Sequence, residues 1–117
     1  MAKYLVLIYG DEQTWGAWSE EQDRANSAAH EAFHAEYGAA VLGAAELHPS
    51  AKAKSIRPDS GGRPTVSDGP FLETKEALGG YYLLEAVDLD EAVAMASRLP
   101  EAGGLGSGVE VRPLRQH

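Results

Sequence analysis

Residues 66–87 read VSDGPFLETKEALGGYYLLEAV. From Gly80 to Val87 the alternation puts Tyr81 and Leu83 on one side of an extended chain and Tyr82 and Leu84 on the other. A strand that is apolar on both faces must be covered on both. The preceding half is punctuation and charge. Asp68 can bond backbone N–H groups of a turn, Gly69 frees φ and Pro70 fixes the next one. Phe71 is expected to plug the core, and Glu73, Lys75 and Glu76 to form a solvated charged run. The stretch reads as a connector that feeds a central strand. It can also be the lip of a cleft.

Beyond it, Asp88 and Glu91 have the spacing of a capping box and predict a helix over 89–99. Its stripe is Leu89, Ala92, Val93, Ala96 and Leu99, and Pro100 stops it. The glycine-rich EAGGLGSG that follows reads as a loop, and 109–112 as a short last strand. That loop follows a helix, whereas a phosphate cradle precedes one. On the other side, 51–57 and 64–67 flank DSGG and predict a hairpin, with Lys52, Lys54 and Arg57 on an exposed edge.

The N-terminal KYLVLIY, residues 3–9, is a second strand apolar on both faces. A loop over 11–18 carries Trp15 and Trp18. Ser19 and Gln22 match a capping box and open a helix with Ala25, Ala28, Ala29, Ala32, Phe33 and Tyr37 as its stripe. Residues 41–48 form a weaker strand. The order is β-α-β, hairpin, β-α-β, and it predicts an α+β fold of ferredoxin-like, split βαβ type. Two helices cover one face of such a sheet. A twofold copy of the same sheet is the simplest cover for the other, so a homodimer is expected.

A chain of 117 residues suits one domain, large enough to bury a core without staples. It has no cysteine, which excludes disulfides and thiolate chemistry and fits a reducing cytoplasm. A net charge of -8 repels phosphates, so neither nucleic acid nor an anionic membrane is an expected partner.

Three segments together carry a resemblance: LVLIYGDE near the start, TVSDGPFLETKEALGGYYLLEAVDLDEAVAMASRLP in the second half and VEVRPL near the end. With Asp68-Gly69-Pro70-Phe71, the Glu73-Thr74-Lys75-Glu76 that follows and the Gly79-Gly80 pair, the chain resembles the DGPF-domain, YCII-related family almost end to end. The resemblance implies a dimeric α+β barrel. It also implies, for some members, a link to extracytoplasmic-function sigma factors. Related YciI-like proteins are proposed enzymes with a His–Asp pair in a cleft, and the His of that pair has no matched motif position here.

The residues themselves offer several sites. Asp68 is either a turn residue or a general base at a cleft mouth. His48, at the end of a strand before Pro49, has the side chain for acid–base work and could pair with Asp68. Trp15 and Trp18 either staple their loop to the helix or wall a small-molecule pocket, with His34 beside it. His30-Glu31-Ala32-Phe33-His34 matches H-E-x-x-H, with both imidazoles on one helix face. Tyr37 stands where the extended zinc motif needs glycine, and Phe33 claims the buried stripe, which leaves the two histidines on its flank. No metal and no cofactor are expected. Two functions stay open: a small-molecule enzyme or binding protein with an Asp68 cleft, and a non-catalytic regulatory module tied to sigma factors.

Overall fold

Strand β1, Ala2–Asp11, alternates half-buried and buried residues along almost its whole length. It is the centre of the fold, paired antiparallel with β5, Glu76–Ala86, on one side and β6, Ser107–Pro113, on the other. Strand β2, Val41–Glu46, adds to the far side of β5. The sheet order is β2-β5-β1-β6. Each main helix thus joins two strands with a third between them, an arrangement compatible with a split βαβ, ferredoxin-like fold. The computed structural model describes residues 1–72, 74–104 and 106–116. Glu73 of the charged run, Leu105 of the glycine-rich segment and the terminal His117 lie outside them.

The chain is α+β, with an antiparallel sheet and, among the described residues, three α-helices. A short helix, α1, Glu12–Gly16, occupies part of the expected loop. Asp11 caps it, its carboxylate accepting from the Gln13 N–H at 2.9 Å. Helix α2, Glu20–Tyr37, starts at the predicted capping box, with the Ser19 and Gln22 bonds both formed. Helix α3, Leu89–Ala96, is shorter than the 89–99 expected and continues as a turn at Pro100–Ala102. Its cap differs too: Asp88 accepts from the Glu91 N–H, while Glu91 reaches past Asp88 to the Val87 N–H.

The core lies between the helices and one face of the sheet. Tyr4, Val6 and Ile8 of β1 and Tyr82, Leu84 and Ala86 of β5 meet Phe33, Ala92, Met95, Ala96 and Leu99. Helix α2 is rotated from its expected phase. Ala25, Ala28 and Ala32 face outward, and Asn26, Ala29, His30, Phe33 and Tyr37 turn toward the sheet. The large side chains decide this, because Phe33 and Tyr37 bury far more apolar area than the alanines. In α3 the same competition leaves Leu89 and Val93 exposed and buries Met95 instead.

Strands β3, Lys54–Pro58, and β4, Pro64–Asp68, form a separate two-stranded sheet with Ile56 opposite Val66. Both of those side chains are exposed. The buried Ser55 ties this ribbon to the Asp68-Gly69-Pro70 turn: its hydroxyl donates to the Gly69 carbonyl at 2.6 Å. Gly69 sits at φ +91, where a side chain would be strained. Phe71 does not plug the core. It is 58% exposed, with the Arg57 guanidinium 3.8 Å over its ring.

Candidate functional site

The glycine pair at 79–80 prepares the site. A Cβ on Gly80 would sit 2.9 Å from the Ala45 carbonyl oxygen, so glycine there lets β2 approach β5. A Cβ on Gly79 would sit 2.5 Å from the Trp15 indole, and one on Gly10 would overlap it. The indole lies in a slot between these two backbones. Helix α1 carries it there, held at its start by the Asp11 cap and by the Glu12 side chain. The Glu12 carboxylate accepts from the Ser50 N–H at 2.6 Å and from the Ser50 hydroxyl, which ties α1 to the chain after β2.

Trp15 becomes one wall of a cleft of about 730 Å³ between α2, the end of β2 and the sheet. Trp18, His34 and His48 also line it. Four of the residues singled out from the sequence are therefore brought together. Asp68 is not among them. It lies at the end of β4 with its side chain 83% exposed, paired with Lys54. Its carboxylate pairs with Lys54 across the ribbon, and it does not line the cleft that His48 lines.

The floor of the cleft joins His30, known from the sequence only as part of H-E-x-x-H, to Tyr82 and Glu101. His30 Nδ1 lies 2.7 Å from the Tyr82 hydroxyl, and its Nε2 lies 2.8 Å from a Glu101 carboxylate oxygen. The His30 and Tyr82 rings are nearly parallel, 8° apart with centroids at 5.8 Å. Phe33, from the same face of α2, packs against the Tyr82 ring with centroids 4.9 Å apart. Glu101 sits in the turn after α3, between the buried Leu99 and a bond from the Ser107 hydroxyl to its own carbonyl. Glu101 is 7% exposed, and its Oε1 has no hydrogen-bond partner among the described residues.

The electrostatics set the proton positions. Burial alone would raise the Glu101 pKa. The hydrogen bond from His30, the His30 charge, the residue's own backbone N–H and the Asn26 side chain outweigh it and hold the carboxyl below its ordinary value. Asn26 acts here by proximity, since Oε1 has no bond of good geometry. Tyr82 is pushed up, first by burial and then by the negative Glu101. When the imidazole carries a single proton, an ionised Glu101 accepting from Nε2–H leaves the Nδ1 lone pair to accept from the Tyr82 hydroxyl.

Both nitrogens of His30 are thus engaged, and the H-E-x-x-H spacing does not offer a metal two free imidazoles. Among the described residues no three His, Asp or Glu side chains stand close enough to hold a metal ion. His30 is half-buried and faces the sheet, not the flank of the stripe. A signal for this existed: positions 26, 30, 33 and 37 share a helix face, so phasing α2 on Phe33 and Tyr37 turns His30 inward. Glu101 had no comparable signal.

The model of the YCII-related domain matches residues 2–115. The chain belongs to the YCII-related family. An uncharacterized protein of Rhizobium meliloti (strain 1021) is 42% identical over 113 residues, covering 95% of this chain and 90% of that protein. The match to the YCII-related domain takes in every strand of the sheet and all three members of the triad.

Proposed function

We propose that this YCII-related protein binds a small organic molecule in the cleft and moves a proton on it through the Tyr82-His30-Glu101 chain. The observation that carries the reading is the unbroken pair of short bonds from a phenol, through an imidazole, to a buried carboxylate. With both His30 nitrogens occupied, the Tyr82 oxygen is the group left to meet a ligand. It accepts the ligand's proton while its own passes to His30 Nδ1, and Glu101 holds the imidazolium that results. Tyr82 resists ionising alone, which makes the transfer a relay and not the work of a free tyrosinate. Trp15 and Trp18 supply apolar walls.

A ligand-observed NMR screen of small molecules with exchangeable C–H protons, run in deuterated water, tests this. Hits should bind the natural protein and Tyr82→Phe with similar affinity, and incorporate deuterium only with the natural protein. Equal incorporation with Tyr82→Phe would remove the relay.

We also propose that the chain works as a homodimer. Its smallest dimension is only 19 Å, the depth of one helix layer on one sheet. Leu5, Leu7, Tyr9, Tyr81 and Leu83 lie on the sheet face away from the helices. A second copy of that face is self-complementary about a twofold axis. Sedimentation velocity of the natural protein and of Leu7→Lys checks it: the variant should sediment as a monomer. A cytoplasmic setting belongs to the same reading, since the chain has no cysteine and no described helix is long and apolar enough to cross a membrane.

A further inference from the structure

The ribbon of β3 and β4 has no part in the cleft chemistry. It is a two-stranded sheet that joins no strand of the main one. A two-stranded hairpin is marginal in water unless it packs on something. One face of this ribbon is engaged within the chain. Ser55 is buried and bonds the Gly69 carbonyl, and Arg57, next on that face, lies over Phe71. The other face carries Ile56 opposite Val66 and Pro58 opposite Pro64. Ile56 and Val66 are 60% and 62% exposed, and both prolines are exposed. Phe71 and Leu72, just beyond β4, extend this open apolar surface. The chain is also spread out: its radius of gyration is 16.2 Å, where a compact domain of this length has about 13 Å.

Charge says what fits that face. Residues 50–68 hold four of the chain's 10 basic residues, Lys52, Lys54, Arg57 and Arg63, and two of its 18 acidic ones, Asp59 and Asp68. The ribbon is therefore positive on a chain whose net charge is -8. That total repels phosphate polymers and anionic membranes. The body of a second copy is acidic and comes at the ribbon's own concentration, whereas two ribbons repel each other. Resting on the homodimer proposed above, we infer that the ribbon is an arm that docks on the body of the partner copy. The Ile56–Val66 face lies on apolar surface of that body. Lys54 already pairs with Asp68 and Arg57 covers Phe71, so the exposed Lys52 and Arg63 meet the partner's carboxylates.

The chain has no cysteine, so Val66→Cys creates a single attachment point at an exposed position that does not threaten folding. The full chain, labelled there with benzophenone maleimide and irradiated, should give a covalent product of twice the chain mass. The attachment site in the second chain should lie outside residues 50–72. Lys52→Glu combined with Arg63→Glu should weaken the dimer about tenfold at low salt, and the difference should fade as salt is added. Ile56→Ser combined with Val66→Ser should weaken it at every salt concentration, because apolar burial is not screened. Sedimentation velocity of the natural protein, read alongside, separates this arm from the dimer it rests on. A dimer that gives only attachment within one chain, attachment from ribbon to ribbon, or an unchanged dissociation constant in both double variants overturns the arm and leaves the sheet-face dimer standing. Binding of a fluorescent DNA duplex that Lys52→Glu with Arg63→Glu abolishes also overturns it, since the ribbon would then serve a phosphate polymer. A monomeric natural protein overturns the arm and the homodimer together.

Discussion

His30 and Glu101 stand 71 positions apart in the chain, yet His30 Nε2 and a Glu101 carboxylate oxygen meet at 2.8 Å. One comes from the middle of α2 and the other from the turn after α3. Their bond joins the two halves of the fold across the cleft floor. A buried carboxylate that loses its partner is left with an uncompensated charge. His30→Ala should therefore destabilise the protein by about 3 kcal/mol in urea unfolding. The double change His30→Ala with Glu101→Ala should cost less than the two singles summed, by about 1–3 kcal/mol.

The same pair makes stability depend on acid. In the native state Glu101 gives up its proton more readily than at the ordinary value of 4.5. Between that value and the lower native one, the unfolded chain binds more protons than the folded one, so stability falls as pH falls. The Glu101 contribution is complete above about pH 4.5 and fades as pH drops through the native pKa. Unfolding curves of the natural protein and Glu101→Gln, collected from pH 6 downward, should converge across that window. Curves that stay parallel would mean that Glu101 is unperturbed.

Tyr82→Phe keeps the ring that packs on Phe33 and removes only the hydroxyl. The loss should be about 1 kcal/mol, the net worth of a typical buried hydrogen bond. In imidazole NMR, the Nδ1 signal of His30 should move while that of His48, elsewhere on the cleft wall, stays in place.

Gly10→Ala and Gly79→Ala each place a methyl where the Trp15 indole now lies. Overfilling a tight contact costs about 1–3 kcal/mol. Each variant should also shift tryptophan emission to the red as Trp15 is driven toward water. An unchanged spectrum would show that the indole does not occupy the slot.

Asp68→Asn should leave stability within about 0.5 kcal/mol of the natural protein, because both it and its partner Lys54 are largely open to water. Ser55→Ala, one residue along β3, should cost about 1 kcal/mol, since it releases the Gly69 carbonyl from a buried bond. Amide exchange of Gly69 should speed up in the second variant and not in the first.

Local chemistry was legible in the chain. Alternation marked β1 and β5, because a sheet's two faces repeat every second residue. Ser19 and Gln22 marked the start of α2, because a cap is satisfied within one turn. Trp15, Trp18, His34 and His48 stood out by residue type, and all four line the cleft. The tertiary structure decided the rest. It turned α2 onto Phe33 and Tyr37, which carried His30 inward, and it folded the turn after α3 back so that Glu101 came beneath it. It also left Asp68 and Phe71 on the outside, where a one-dimensional reading of their turn placed a cleft and a core. The reason is physical. Caps and strand faces are set by neighbours a few residues away, whereas which face of a helix is buried, and which distant side chain satisfies a buried imidazole, depends on what packing brings opposite.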